Sequence, residues 1–82
     1  MRLYLDMHNL PGVDAKAAAG AHARDLEVQG KYGVTYRSYW VDEREGKVFC
    51  LVEAPDEETA ARVHREAHGL IADEIREVLE GS

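Results

Sequence analysis

Cysteine is nearly missing from this sequence: the 82-residue chain carries one, Cys50. A single thiol rules out an intramolecular disulfide and any zinc or iron–sulfur cage built from cysteines. Basic side chains are also in deficit, ten against sixteen acidic ones, for a formal charge of −6. That balance repels nucleic acid and anionic membranes and favours cations or basic partners. No apolar run approaches membrane-spanning length, and the opening stretch MRLYLDMHNLPG lacks the apolar core of a signal peptide. The expectation is a soluble, cytoplasmic protein with neither nucleic-acid nor membrane partners. Catalytic signatures are missing too, with no phosphate-cradling glycine loop and no Ser/His/Asp pattern.

Apolar residues, by contrast, are plentiful at 45 %, with Trp40 and four tyrosines among them. Residues 1–82 suffice for one domain, and a chain this short buries only about 60 % of the surface its unfolded form exposes. The surplus implies that a second copy covers part of it.

Residues 2–8 alternate, with Leu3, Leu5 and Met7 on one side and Tyr4, Asp6 and His8 on the other. This reads as a strand with one apolar and one mixed face. Pro11-Gly12 breaks it, and Asp14 is placed to cap an Ala-rich helix running to about Gly30. VTYRSYWVD (34–42) and KVFCLVEA (47–54) flank a short loop ending in glycine, the pattern of a β-hairpin. The unbroken apolar run Phe49–Val52 suggests a strand covered on both faces. Pro55 stops it, and Asp56 caps a second helix reaching Gly69. The tail ADEIREVLE has helical propensity. A strand from Ile75 to Glu80, however, completes a ferredoxin-like split βαβ fold (βαββαβ): α+β, with an antiparallel sheet and both helices on one face. The open face is expected to hold Tyr4, Trp40 and Phe49 or its neighbours, and a symmetry mate on it gives a dimeric α+β barrel type of assembly.

The four histidines carry the candidate chemistry. His64 and His68 stand four residues apart, stacked on one helix face beside the apolar stripe Ala60, Val63, Ala67 and Leu70. They suit either a two-imidazole chelate or two ordinary helix-edge histidines. Arg65 occupies the place where a zinc protease needs glutamate. His22 follows its helix cap by the same interval as His64 follows its own, so the two imidazoles are expected at similar heights on neighbouring helices. His22 also shares a stripe with Ala15, Ala18 and Leu26, which leaves a core role open. Asp6 and His8 point to one side, and Glu53 on a neighbouring strand is expected to approach His8 as a second metal site or an acid/base group. Cys50, between Val48 and Val52, reads as a small buried hydrophobe, with a thiolate ligand as the alternative.

The motifs YWVDEREGKVFCLVEAP and VHREAHGLIADEI, with LYLDMH and AHARDLEVQGKYGV, resemble a family of small actinobacterial nickel-binding proteins along essentially the whole chain. The resemblance implies a ferredoxin-like homodimer that binds Ni(II), or similar divalent transition metals, for sequestration or detoxification without catalysis. Its histidine-bearing motifs fall on His8, His22, His64 and His68. Imidazole and carboxylate donors suit Ni(II), and binding is expected to weaken below about pH 6, where free imidazole protonates. Histidines on the outer helix surfaces would also let metal bridge molecules and promote self-association. The competing function is a small dimeric enzyme, a monooxygenase or isomerase, working with Asp6, His8, Trp40 and Glu53 in a cavity on the sheet face. A third is a structural or stress-induced dimer without a ligand.

Overall fold

The computed structural model describes residues 1–81. Alternation over the first residues becomes strand β1 (Arg2–Asn9), and Asp14 caps helix α1 (Ala15–Val28) by accepting from the Ala17 amide at 2.7 Å. A short 3-10 turn (Gln29–Tyr32) closes the helix, and Gly33, at a positive φ of 65°, turns the chain into β2 (Thr35–Asp42). The hairpin returns as β3 (Lys47–Ala54). Asp56 then caps α2 (Glu57–Ala67), accepting from the Thr59 amide and hydroxyl at 2.8 and 2.6 Å.

Glu74–Glu77 forms β4, so topology overrides helical propensity here, although the strand is shorter than the expected Ile75–Glu80. The four strands are antiparallel in the order β2-β3-β1-β4, the ferredoxin-like arrangement, with both helices on one face. Gly46 pins the hairpin tip to the loop after β1: its carbonyl accepts from the Leu10 amide at 2.7 Å. A side chain there would meet the Pro11 Cα at 2.9 Å, and φ is +68°, so only glycine fits.

The direction in which β1 faces is the main departure from expectation. Tyr4, Asp6 and His8 are buried beneath the helices, whereas Leu3, Leu5 and Met7 look out on the open face. Tyr4 is therefore a core residue. β3 alternates in the same way, with Val48, Cys50, Val52 and Ala54 buried and Phe49 and Leu51 only half-buried on the open side. Its apolar run is thus covered on one face within a single chain. Met7, Phe49 and Trp40 form one row across that open face, and Trp40 is 53 % exposed. On the helix side the core is Tyr4, Val34, Tyr36, Val52, Ala60 and Val63 with their neighbours. Leu26 is 48 % exposed, so the buried stripe of α1 runs through Ala18 and Asp25 instead.

Candidate metal centre

Period-two geometry places Asp6 and His8 side by side on the inner face of β1, and the ladder sets Cys50 of β3 directly opposite Asp6. His64 descends onto this patch from α2, where it is fully buried between Ala60 and Val63 rather than held on the flank. Its ring packs against Tyr36 at 4.4 Å between centroids, and against His8 and His68 at 4.9 and 4.8 Å. The Tyr36 hydroxyl donates to the Ala60 carbonyl at 2.8 Å, which fixes the tyrosine ring under the helix.

Hydrogen bonds assign the imidazoles their roles. The Leu70 amide donates to His68 Nδ1 at 3.1 Å, so in the neutral ring Nε2 carries the proton and faces Asp25 Oδ1 at 3.0 Å. The same carboxylate oxygen lies 2.8 Å from His64 Nδ1. A carboxylate accepts only, so His64 donates through Nδ1 and turns Nε2 toward β1. There Nε2 meets Asp6 Oδ2 at 3.0 Å and His8 Nε2 at 3.3 Å. A bare lone pair at this nitrogen would oppose a carboxylate oxygen. A proton or a metal cation removes the conflict.

The electrostatics follow from this crowding. Burial works to raise the Asp6 pKa, yet the imidazoles of His64 and His8 overcome it and hold the group at about 2. Burial works to lower that of His64, but hydrogen bonds to Asp25 and Asp6 prevail and carry it up to about 9. Asp25 is held below the ordinary carboxylate value against its own burial, through His64 and His68. The Cys50 thiol is pushed up, first by burial and then by Asp6. Two buried carboxylates thus share the His64 ring, one at each nitrogen. Asp6 Oδ1 is buried without a hydrogen bond among the described residues, although it lies 3.3 Å from His8 Nε2; His8 Nδ1, on the other edge of that ring, is also buried without one. Such orphans are rare in native interiors.

Two sets of donor atoms, each within 4.8 Å of one another, result: Asp6, His8, Cys50 and His64, and Asp25, His64 and His68. In the second set one carboxylate oxygen already takes both imidazole protons, the arrangement by which an outer carboxylate orients a ligating histidine. The first set holds the unsatisfied atoms, and its imidazole, carboxylate and thiol groups match the preferences of Ni(II), Zn(II) and Cu ions. His64 belongs to both sets, one nitrogen to each.

Three of the four histidines therefore converge, and the fourth does not. His22 stacks on Tyr39 at 4.6 Å and lines the apolar cavity above the centre without joining either donor set. His64 and His68 are not a bare chelating pair, because Asp25 stands between their nitrogens. Glu53 pairs with Leu3 on the opposite face and contacts Arg37 at 3.3 Å, so it does not approach His8. Trp40 also lies on that face, so the four residues of the enzyme reading share no cavity. Asp25 is absent from the expected set, although its place seven residues after Ala18 puts a carboxylate on the inner stripe of α1.

A family model described as nickel responsive protein SCO4226-like matches residues 4–78. The crystal structure of SCO4226 from Streptomyces coelicolor A3(2) superposes with a TM-score of 0.90 at 34 % identity, covering 98 % of this chain and 99 % of that one. No curated protein matches.

Proposed function

This chain belongs to the SCO4226-like family of nickel responsive proteins, and from that premise we propose that it binds Ni(II), or a similar divalent transition metal, without catalysis. Asp6, His8 and His64 bind the ion, and Asp25 and His68 orient His64. The role is to sequester metal in the cytoplasm and so limit its toxicity. One observation carries the reading: buried imidazole and carboxylate donors of Asp6, His8 and His64 within 4.8 Å of one another, with Asp6 Oδ1 left without a hydrogen bond. A buried polar cluster left incomplete costs stability unless a ligand completes it. His8 and His64 are only 3 % and 2 % exposed, so the ion is enclosed within one chain and metal-bridged association is not part of the proposal. The partner is instead a second copy, seated on the open face where Trp40, Phe49, Leu51, Leu3, Leu5 and Met7 gather.

Calorimetric titration with Ni(II) tests the site. Wild type should give a saturating isotherm, and His64→Ala should give none. Equal isotherms for the two proteins would move the site elsewhere, and a flat wild-type trace with Ni(II), Zn(II) and Cu(II) would end the metal reading.

A further inference from the structure

We propose that residues 69–72 form a strap over the mouth of the buried centre, with the Leu70 side chain as the gate through which the ion enters and leaves; the proposal rests on the metal-binding reading above. His8 and His64 are fully buried, so part of the chain must move before an ion reaches them. A cavity of about 70 Å³ leads to the centre, with the buried His8, Cys50 and His64 in its lining together with Val13, Ala17 and Leu70. Of all the residues around it, Ala17 and Leu70 are the exposed ones, so they mark its mouth. Ala17 sits in the first turn of α1, and its amide is held by Asp14 at 2.7 Å. Leu70 belongs to no helix or strand. The movable side of the mouth is therefore Leu70.

The strap is firm at its ends and loosely held between them. Upstream, the amides of His68 and Gly69 both donate to the His64 carbonyl, at 3.0 and 2.9 Å, and Gly69 turns the chain off the helix at a φ of 78°. Downstream, the Asp73 amide donates to the Met7 carbonyl at 2.8 Å, and the Asp73 carboxylate accepts from the Asn9 amide at 2.6 Å. Between these anchors the amides of Leu70, Ile71 and Ala72 have one hydrogen-bond partner among the described residues. It is His68 Nδ1, which accepts from Leu70 at 3.1 Å. Few backbone hydrogen bonds and little burial are the marks of a segment that opens at low cost. Leu70 and Ile71 are already exposed, so lifting the strap uncovers little more apolar surface. The single latch also ends on the imidazole whose other nitrogen faces Asp25 at 3.0 Å. Closure thus holds His68 against the carboxylate that orients His64. A lid of this kind sets the rates of entry and exit.

Leu70→Ala keeps the latching amide and clears the mouth. In stopped-flow uptake of Ni(II), and in its release to a chromogenic chelator, this variant should speed both steps by at least about fivefold and hold the dissociation constant within about twofold. Ile71→Ala, exposed on the same strap but outside the cavity lining, should keep wild-type rates. Cys50 lines the cavity, so its modification by a small methanethiosulfonate reagent reads opening without any metal. Leu70→Ala should speed that reaction in the metal-free protein by at least about fivefold. A Leu70→Ala rate within about twofold of wild type in either assay overturns the proposal. Equal acceleration by Ile71→Ala also overturns it, since that would mean general loosening. Faster release alone, with weaker binding, would make Leu70 a support of the centre instead of its gate. If wild type takes up no Ni(II), the metal reading falls and the labelling rates decide the strap by themselves.

Discussion

The two faces of β1 invert the usual pattern. Tyr4, Asp6 and His8 point into the protein and Leu3, Leu5 and Met7 point out. In an antiparallel sheet with one covered face, the apolar set ordinarily turns inward and the polar set meets water. Burying a carboxylate and an imidazole while leaving leucines on the surface sacrifices stability at both faces of a small domain. The proposed function gives each face an occupant: a cation on the inner one and another copy of the chain on the outer.

The inner face is the easier to break. Asp6→Ala should destabilise the metal-free protein by about 3 kcal/mol at pH 7 in urea denaturation. That is the lower edge of what removing one partner of a buried ion pair costs, because Asp25 still faces the same ring. A loss below about 1 kcal/mol would mean that the polar set is not integral to the fold.

On the outer face, Trp40→Lys should weaken self-association by at least about 30-fold, or about 2 kcal/mol, in sedimentation experiments while leaving metal binding intact. A wild type that sediments as a monomer at tens of micromolar would remove the second copy from the outer face.

Proton linkage sharpens the contrast, since the titrating pair sits on the inner face alone. His64 is raised from its ordinary 6.5 to about 9, so its contribution to stability is full below pH 6.5 and is lost as pH climbs to 9. Asp6 is lowered from 3.8 to about 2, so its contribution is present above pH 3.8 and disappears as pH falls to 2. Metal must displace the His64 proton, so affinity for Ni(II) should rise by about tenfold per pH unit from 6.5 to 9. The simple expectation of a decline below about pH 6 is thus shifted upward. A flat affinity across this range would show that His64 gives up no proton to the ion.

The smallest effect belongs to His22. His22→Ala should change Ni(II) affinity by less than about threefold, because its ring meets Tyr39 rather than the donors. A larger loss would extend the centre into the cavity.

Much of the architecture is legible in the sequence because its signals are local. Asp14 and Asp56 announce their helices, the hairpin is written in two alternating runs, and β4 follows from topology once the other elements stand. What alternation cannot say is which of its two sets faces inward. Residue pattern alone therefore puts Tyr4 on the open side and sets the Asp6–His8 pair apart from His64. Those are one centre, and only the descent of α2 onto β1 joins them. Asp25 is hidden because a stripe traced through apolar residues steps over a carboxylate, and Glu53 is kept from His8 by the register, which sets it opposite Leu3 on the other face while His8 pairs with Val48.

The His64 ring reaches α1 through one nitrogen and β1 through the other. Under the proposed function, occupancy of the centre and the docking of the helical layer are therefore one linked equilibrium. Any protein that recognises the docked layer from outside will hold it more tightly when the ion is inside, and by the same factor will strengthen the hold on the ion.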